Sequence, residues 1–134
     1  MHKSETKIRV RYGETDQMGV VYHANYATYF EVGRTEWLRK YGITYKSMED
    51  SGIMLPVISL SIDYNHSAKY DDLLTIKTLM KKTPTARIEF DYELISESGQ
   101  LLATGNTVLV FMDMERNRPT RCPEYLIEKL KTDN

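Results

Sequence analysis

Apolar residues recur in this 134-residue chain at two different periods, and the distribution of those periods limits the folds open to it. From 24 to 41, Tyr26, Phe30, Gly33, Trp37 and Tyr41 fall at spacings of four, three, four and four, which puts them on one face of an α-helix that Gly42 stops. The other long runs alternate. Between Thr6 and Tyr12, Ile8, Val10 and Tyr12 alternate with Lys7, Arg9 and Arg11. Ile58, Leu60, Ile62 and Tyr64 then alternate with Ser59, Ser61 and Asp63, and the pattern returns in LLTIKTLM (73–80), RIEFDYELI (87–95) and LLATGNTVLVFM (101–112). One long helix among five strands, with a short helical turn at 45–50, predicts an α+β domain in which a mostly antiparallel sheet packs against that helix.

Several residues refine this reading. Gly33 stands on the apolar face of the helix, where it costs up to ~1 kcal/mol of helix stability, so a close approach by the sheet is expected there. Val108 to Met112 are apolar on both faces, which predicts a central strand. ESGQ (97–100) suits a hairpin turn, with Gly99 supplying positive φ, and Pro123 opens a peripheral amphipathic helix over 124–130. His2 is expected in a frayed terminus and His66 at a solvent-facing strand end.

The chain has the length of one domain, 1–134, which buries about 68–70% of its unfolded surface. Its 18 basic and 19 acidic residues leave a net charge of −1, so nothing in the balance predicts a nucleic-acid or anionic-membrane surface. The apolar runs are far short of the roughly 20 residues that a membrane-spanning helix needs. A single cysteine, Cys122, makes no internal disulfide, and MHKSETKIRV has charge and alternation where a signal peptide carries an apolar run. A reducing cytoplasm is the expected location.

ETDQMGVVYHANY (14–26) lies between the first strand and the helix, and is richer in chemistry than a connection requires. Asp16 can serve there as a general base or a nucleophile, or it can simply hold a turn through its own hydrogen bonds. Seven residues on, His23 stands where the helix should begin, beside unpaired amides and the positive end of the helix dipole. Such amides suit a carbonyl oxygen that gains negative charge during acyl transfer. Gly19 lets the chain turn back and lets a ligand approach the backbone. Glu14 reads as solvated or hydrogen-bonded rather than catalytic. No His, Cys, Asp or Glu cluster has metal-ligand spacing, so no metal is expected.

RYGETDQMGVVYHANYATYFEVGRTEWLRKYG resembles the opening signature of the hot-dog-fold thioesterases of the 4-hydroxybenzoyl-CoA thioesterase group, in its branch of small bacterial acyl-CoA thioesterases. KYDDLLTIKT, RIEFDYEL, LLATGNTVLVFMD and RPTRCPEYL extend the likeness over nearly the whole chain. The resemblance implies a hot-dog fold, a five-stranded sheet wrapped around one long helix, and hydrolysis of an acyl-coenzyme A or acyl-carrier-protein thioester. It implies no cofactor beyond the coenzyme A of the substrate, and a homodimer or homotetramer with sites at subunit interfaces. It places the catalytic carboxylate on Asp16 and both the carbonyl-polarising amide and an auxiliary side chain on His23. Gly19, Val21 and Tyr22 are the expected substrate-binding residues. Glu14 departs from the family's usual aspartate, and its longer side chain is expected to alter the loop and the packing beneath it. A non-catalytic acyl-thioester or carrier-protein scaffold of the same fold is the alternative.

Overall fold

The alternating runs become strands, and those at 73–80 and 87–95 bury every second residue. A computed structural model describes residues 2–132. In chain order the elements are β1 (His2–Arg9), a 3-10 turn (Tyr12–Glu14), α1 (Asn25–Lys40), α2 (Tyr45–Asp50), β2 (Ile53–Met54), β3 (Val57–Tyr64), β4 (Leu73–Met80), β5 (Arg87–Ile95), β6 (Leu101–Val110), β7 (Met112–Asp113), β8 (Arg118–Pro119) and α3 (Glu124–Thr132). The main sheet has the order β1-β4-β5-β6-β3, with every neighbouring pair antiparallel. β2, β7 and β8 form a small second sheet. No described helix is long and apolar enough to cross a membrane.

The helix α1 packs against β1, β4 and β5. Leu74, Ile76, Thr78 and Met80 of β4 and Ile88, Phe90, Tyr92 and Leu94 of β5 form the buried face beneath it. The expected close approach at Gly33 is present: a Cβ there would lie 2.6 Å from the Thr78 hydroxyl oxygen and 2.8 Å from an Ile76 methyl. A second close approach, at Gly105, leaves no mark in the sequence pattern. Phe30 lies over that glycine, which leaves no room for a Cβ, and stacks on Tyr92 at 4.6 Å between ring centroids.

Three expectations need correction. His2 is not frayed: it belongs to β1, its Nε2 lies 2.9 Å from the Leu130 carbonyl, and its ring meets Tyr41 edge-on. The first strand also starts earlier and ends at Arg9, leaving Tyr12 77% exposed in the following turn. The run 101–112 is central as read but is not one strand. β6 lies between β5 and β3, and the chain leaves the sheet at Phe111, whose amide bonds to the Ala86 carbonyl before Met112 and Asp113 pair with β2. The short helix at 45–50, the Gly99 turn (φ 91°) and the helix after Pro123 form as read.

β3 is an edge strand with an uncovered face. Ile62 packs partly on the core, but Leu60 and Tyr64 on the same side are each 49% exposed, as is Ile58 at the register shift between Val57 and Ser59.

The contact at Gly33 yields a stability prediction. Gly33→Ala gains helix propensity of up to ~1 kcal/mol but overpacks the helix–sheet contact by about 1–3 kcal/mol, so a net loss is expected in urea unfolding. The Thr78 hydroxyl has no hydrogen-bond partner among the described residues, so the nearly isosteric Thr78→Val is expected to be neutral or stabilising in the same assay. A stabilised Gly33→Ala would show that the helix is not held this close.

Candidate active site

The loop between β1 and α1 is a miniature hairpin fixed at its base. Thr15 pairs with Val21 and Val20 with Lys69, each as an isolated antiparallel bridge, and the Val21 amide bonds to the Ala68 carbonyl at 2.8 Å. This places residues 16–20 at the tip. The Asp16 amide donates to the Val20 carbonyl at 2.9 Å, and the Gly19 amide donates to the Asp16 carbonyl at 3.0 Å. Gly19 has φ of 80°, and a Cβ added there would meet nothing within 4 Å, so what this site asks of it is backbone conformation and not space.

Asp16 is half-buried, and its Oδ1 accepts a hydrogen bond from the Met18 amide at 2.9 Å. It therefore does hold a turn. Its Oδ2 accepts no hydrogen bond among the described residues, which leaves one carboxylate oxygen uncommitted.

The helix starts two residues later than His23. Ala24 is the cap, and the amides of Asn25 and Tyr26 reach back to the Tyr22 and His23 carbonyls at 2.9 and 3.2 Å. Among the described residues the amides of His23 and Ala24 donate to nothing, so the free donors lie at the mouth of the helix dipole, one turn from the loop. The His23 side chain is exposed, tilted against the exposed Tyr22 ring at 4.5 Å and edge-on to Tyr64 at 6.4 Å. The Tyr64 hydroxyl donates to the His23 carbonyl at 3.0 Å. Val21 differs from its neighbours: its side chain is in the core, and its amide is taken by Ala68.

The group that ties these pieces together is Glu14, which is hydrogen-bonded, one of the two readings the sequence left open, and buried, which the sequence does not show. Glu14 is only 9% exposed. Its Oε1 accepts from the Arg11 amide at 2.8 Å and the Tyr29 hydroxyl at 2.9 Å, and its Oε2 from Arg11 Nε at 3.1 Å and Nη2 at 2.9 Å. Its carbonyl accepts from the Tyr22 amide and the Asn25 side chain, both at 2.9 Å. Burial works against its charge, but the hydrogen bonds from Arg11 and Tyr29 outweigh that and hold the carboxyl below its usual range. Burial, reinforced by the bond to Glu14, pushes the Tyr29 hydroxyl well above the ordinary tyrosine range, so it remains a donor. The available signals are the three-residue spacing of Arg11 and Glu14 and the place of Tyr29 beside Phe30 on the helix.

Known proteins share this arrangement of elements. Residues 10–130 match the thioesterase-like superfamily. The acyl-CoA thioesterase YbgC of Haemophilus influenzae is 35% identical over 118 residues, covering 87% of this chain and 86% of that one. The crystal structure of the DHNA-CoA thioesterase from Staphylococcus aureus superposes with a TM-score of 0.91 at 38% identity, covering 98% of this chain and 91% of that one. A 4-hydroxybenzoyl-CoA thioesterase, 24% identical over 96% of this chain and 99% of that one, is alike in fold with a TM-score of 0.85. The hot-dog fold expected from the sequence is the fold observed.

The charge state of Glu14 gives a prediction with a definite sign. Because its folded pKa lies below the ordinary value of 4.5, its contribution is fully present above that value and is lost as pH falls through the lower, folded one. Glu14→Gln is expected to cost about 1.5–3 kcal/mol at neutral pH, with the gap to the parent closing on acidification below the ordinary carboxyl range. Urea unfolding across pH 3–7 measures it; a gap that stays constant would mean that the carboxylate charge is not what stabilises the loop.

Proposed function

The chain belongs to the thioesterase-like superfamily, and from that membership we infer that it hydrolyses the thioester bond of an acyl-coenzyme A to the free acid and coenzyme A. Two observations carry the site assignment: the uncommitted Asp16 oxygen and, seven and eight residues on, the undonated amides of His23 and Ala24.

The thioester carbonyl oxygen sits against those amides while Asp16 acts on the acyl carbon. As a general base it takes a proton from a water whose oxygen attacks. As a nucleophile it forms a mixed anhydride that water then opens. In both routes the C–S bond breaks, the thiolate leaves with the electron pair and takes up a proton, and negative charge on the carbonyl oxygen is met by fixed dipoles. Losing one such donor typically costs about 2.7–4 kcal/mol. The reaction is redox-neutral and draws only on water, a carboxylate and backbone amides, so coenzyme A enters as part of the substrate. Gly19 and Tyr22 border the reacting group, and Val21 takes part through the backbone it fixes. The exposed His23 ring orients substrate.

The active unit is a homodimer or homotetramer. The half-exposed Ile58, Leu60 and Tyr64 on the unpaired edge β3 support this, because a long apolar edge invites pairing unless it is covered. A reducing cytoplasm suits the one thiol: Cys122 is buried, which together with Glu124 pushes its pKa up to about 12 and leaves it unreactive.

Two experiments test this. Thioester hydrolysis over short, long and aromatic acyl-CoAs should fall by ~10²–10⁴-fold in Asp16→Asn, and ¹⁸O found in Asp16 after a single turnover in ¹⁸O-water would identify a nucleophile whose anhydride water opens at the aspartyl carbon. A variant as active as the parent would return Asp16 to the role of a turn residue. Light scattering should give two or four times the 15.6 kDa chain mass, and Leu60→Lys should lower both mass and turnover. A parent that runs as a monomer would refute the assembly.

A further inference from the structure

Asp16 and the free helix amides come from different pieces of chain, and catalysis needs them in one geometry. The hairpin tip that carries Asp16 is exposed at residues 17–19, and the amides belong to residues 23 and 24, ahead of the first turn of α1. Only a few contacts span the two, and Glu14 makes most of them. Its carbonyl receives the Tyr22 amide and the Asn25 side chain, which fixes the start of the helix. Its carboxylate receives the Tyr29 hydroxyl, one turn further into the helix, and the Arg11 amide and guanidinium from the strand exit. Asp16 is two residues away on the same short segment.

We propose that Glu14 is a positioning residue of the hydrolytic site, a clasp whose carboxylate and carbonyl together hold the Asp16 turn in register with the amides of His23 and Ala24. The inference rests on the assignment of that site to thioester hydrolysis. The chemistry of the clasp accounts for its residues. A carboxylate accepts several hydrogen bonds at once, and Glu14 accepts four on its two oxygens from donors on both sides of the loop. The side chain reaches Tyr29 across fifteen residues of sequence, and because that tyrosine is fully buried in the helix–sheet packing, the clasp takes its reference from the rigid part of the molecule. Arg11 supplies the opposing charge from an exposed position, so its pair with Glu14 is screened, and the Tyr29 and amide bonds are the directional part. Glu14 touches no reacting atom in this scheme. Its effect on rate comes from geometry, where a displacement of about 1 Å costs on the order of a hundredfold.

Tyr29→Phe and Glu14→Gln in the full chain test this, the first removing a single hydroxyl from an otherwise unchanged core. Both are expected to lower kcat by at least about tenfold with KM within about threefold, because ground-state binding is retained while transition-state alignment is lost. In the Asp16→Asn background, Tyr29→Phe should lower the residual rate by less than about twofold, since nothing remains to be aligned. Amide hydrogen exchange should quicken over 15–26 in Tyr29→Phe and stay unchanged in β4 and β5. If Glu14→Gln does not fold, Tyr29→Phe carries the test alone. Folded variants with kcat within about twofold of the parent, whatever their melting temperature, would make Glu14 a structural contact only and overturn the proposal. Exchange over 15–26 identical to the parent would do the same. Failure of the underlying site assignment reads differently: Asp16→Asn keeps its activity while the exchange result still reports on the clasp.

Discussion

Where α1 crosses the sheet, two glycines let backbone and ring come closer than side chains normally allow. Gly33 sits against Thr78 and Ile76, and Gly105 admits the ring of Phe30, which in turn stacks on Tyr92. A helix seated on one apolar stripe can in principle slide or roll by part of a turn at little cost. Here it cannot, because Phe30 fits only over the glycine of β6 and Gly33 only over the two residues of β4. The Trp37 indole adds a third point, donating to the His2 carbonyl at 3.1 Å. Close packing of this kind has discrete solutions, so the helix has one axial position and one rotation.

A helix fixed in this way can serve as a reference for something less well packed. The loop 15–21 has few buried side chains, Val21 excepted, and by itself would wander. It is tied to the fold at two places of different character. Backbone bonds to Ala68 and Lys69 anchor it to the segment before β4, and Glu14 anchors it to the helix. Tyr29 precedes Phe30 directly, so the position that Gly105 imposes on the Phe30 ring is passed to the hydroxyl of the residue before it, and from there to the carboxylate. The Arg11–Glu14 ion pair is weaker than its short distance suggests, since the Arg11 side chain is 79% exposed and its attraction is screened. The bonds from the Tyr29 hydroxyl and the Arg11 amide, made to a nearly buried carboxylate, set the direction.

The fold is largely legible in the sequence because its signals are periodic. Each strand from 73 to 110 repeats its burial over several residues, and the helix stripe with Gly33 names both its own face and the closeness of its neighbour. What sequence does not supply are pairings between distant residues. Gly105 lies in a run that reads as an unbroken strand, and only its partner Phe30, on another element, gives it meaning. His2 reads as a loose terminus until the Leu130 carbonyl and Tyr41 are placed beside it. At the site the same division holds. Asp16, Gly19 and His23 stand out through loop chemistry and resemblance as candidates, whereas Glu14 reads as solvated or hydrogen-bonded, because nothing local shows that Tyr29 arrives from the helix. The helix also begins two residues beyond His23, since the turn bonds of Asn25 and Tyr26 extend the helical path without belonging to it.

The edge strand β3 and the site are not separate matters, and Tyr64 is the reason. It stands on the half-exposed apolar face of β3, yet its hydroxyl holds the His23 carbonyl and its ring lies 5.0 Å from Tyr26 and edge-on to His23. The peptide carbonyl that Tyr64 grips belongs to His23, whose amide the proposed mechanism assigns to the thioester oxygen, so any movement of β3 is felt there. With Ile58, Leu60 and Tyr64 open to water, β3 is held by its pairing with β6 on one edge only. Pairing that edge with a second copy would bury those side chains and stiffen Tyr64 in the same step. Under the proposed mechanism, assembly would then tighten the donors at His23 from one side while Glu14 holds the Asp16 turn from the other.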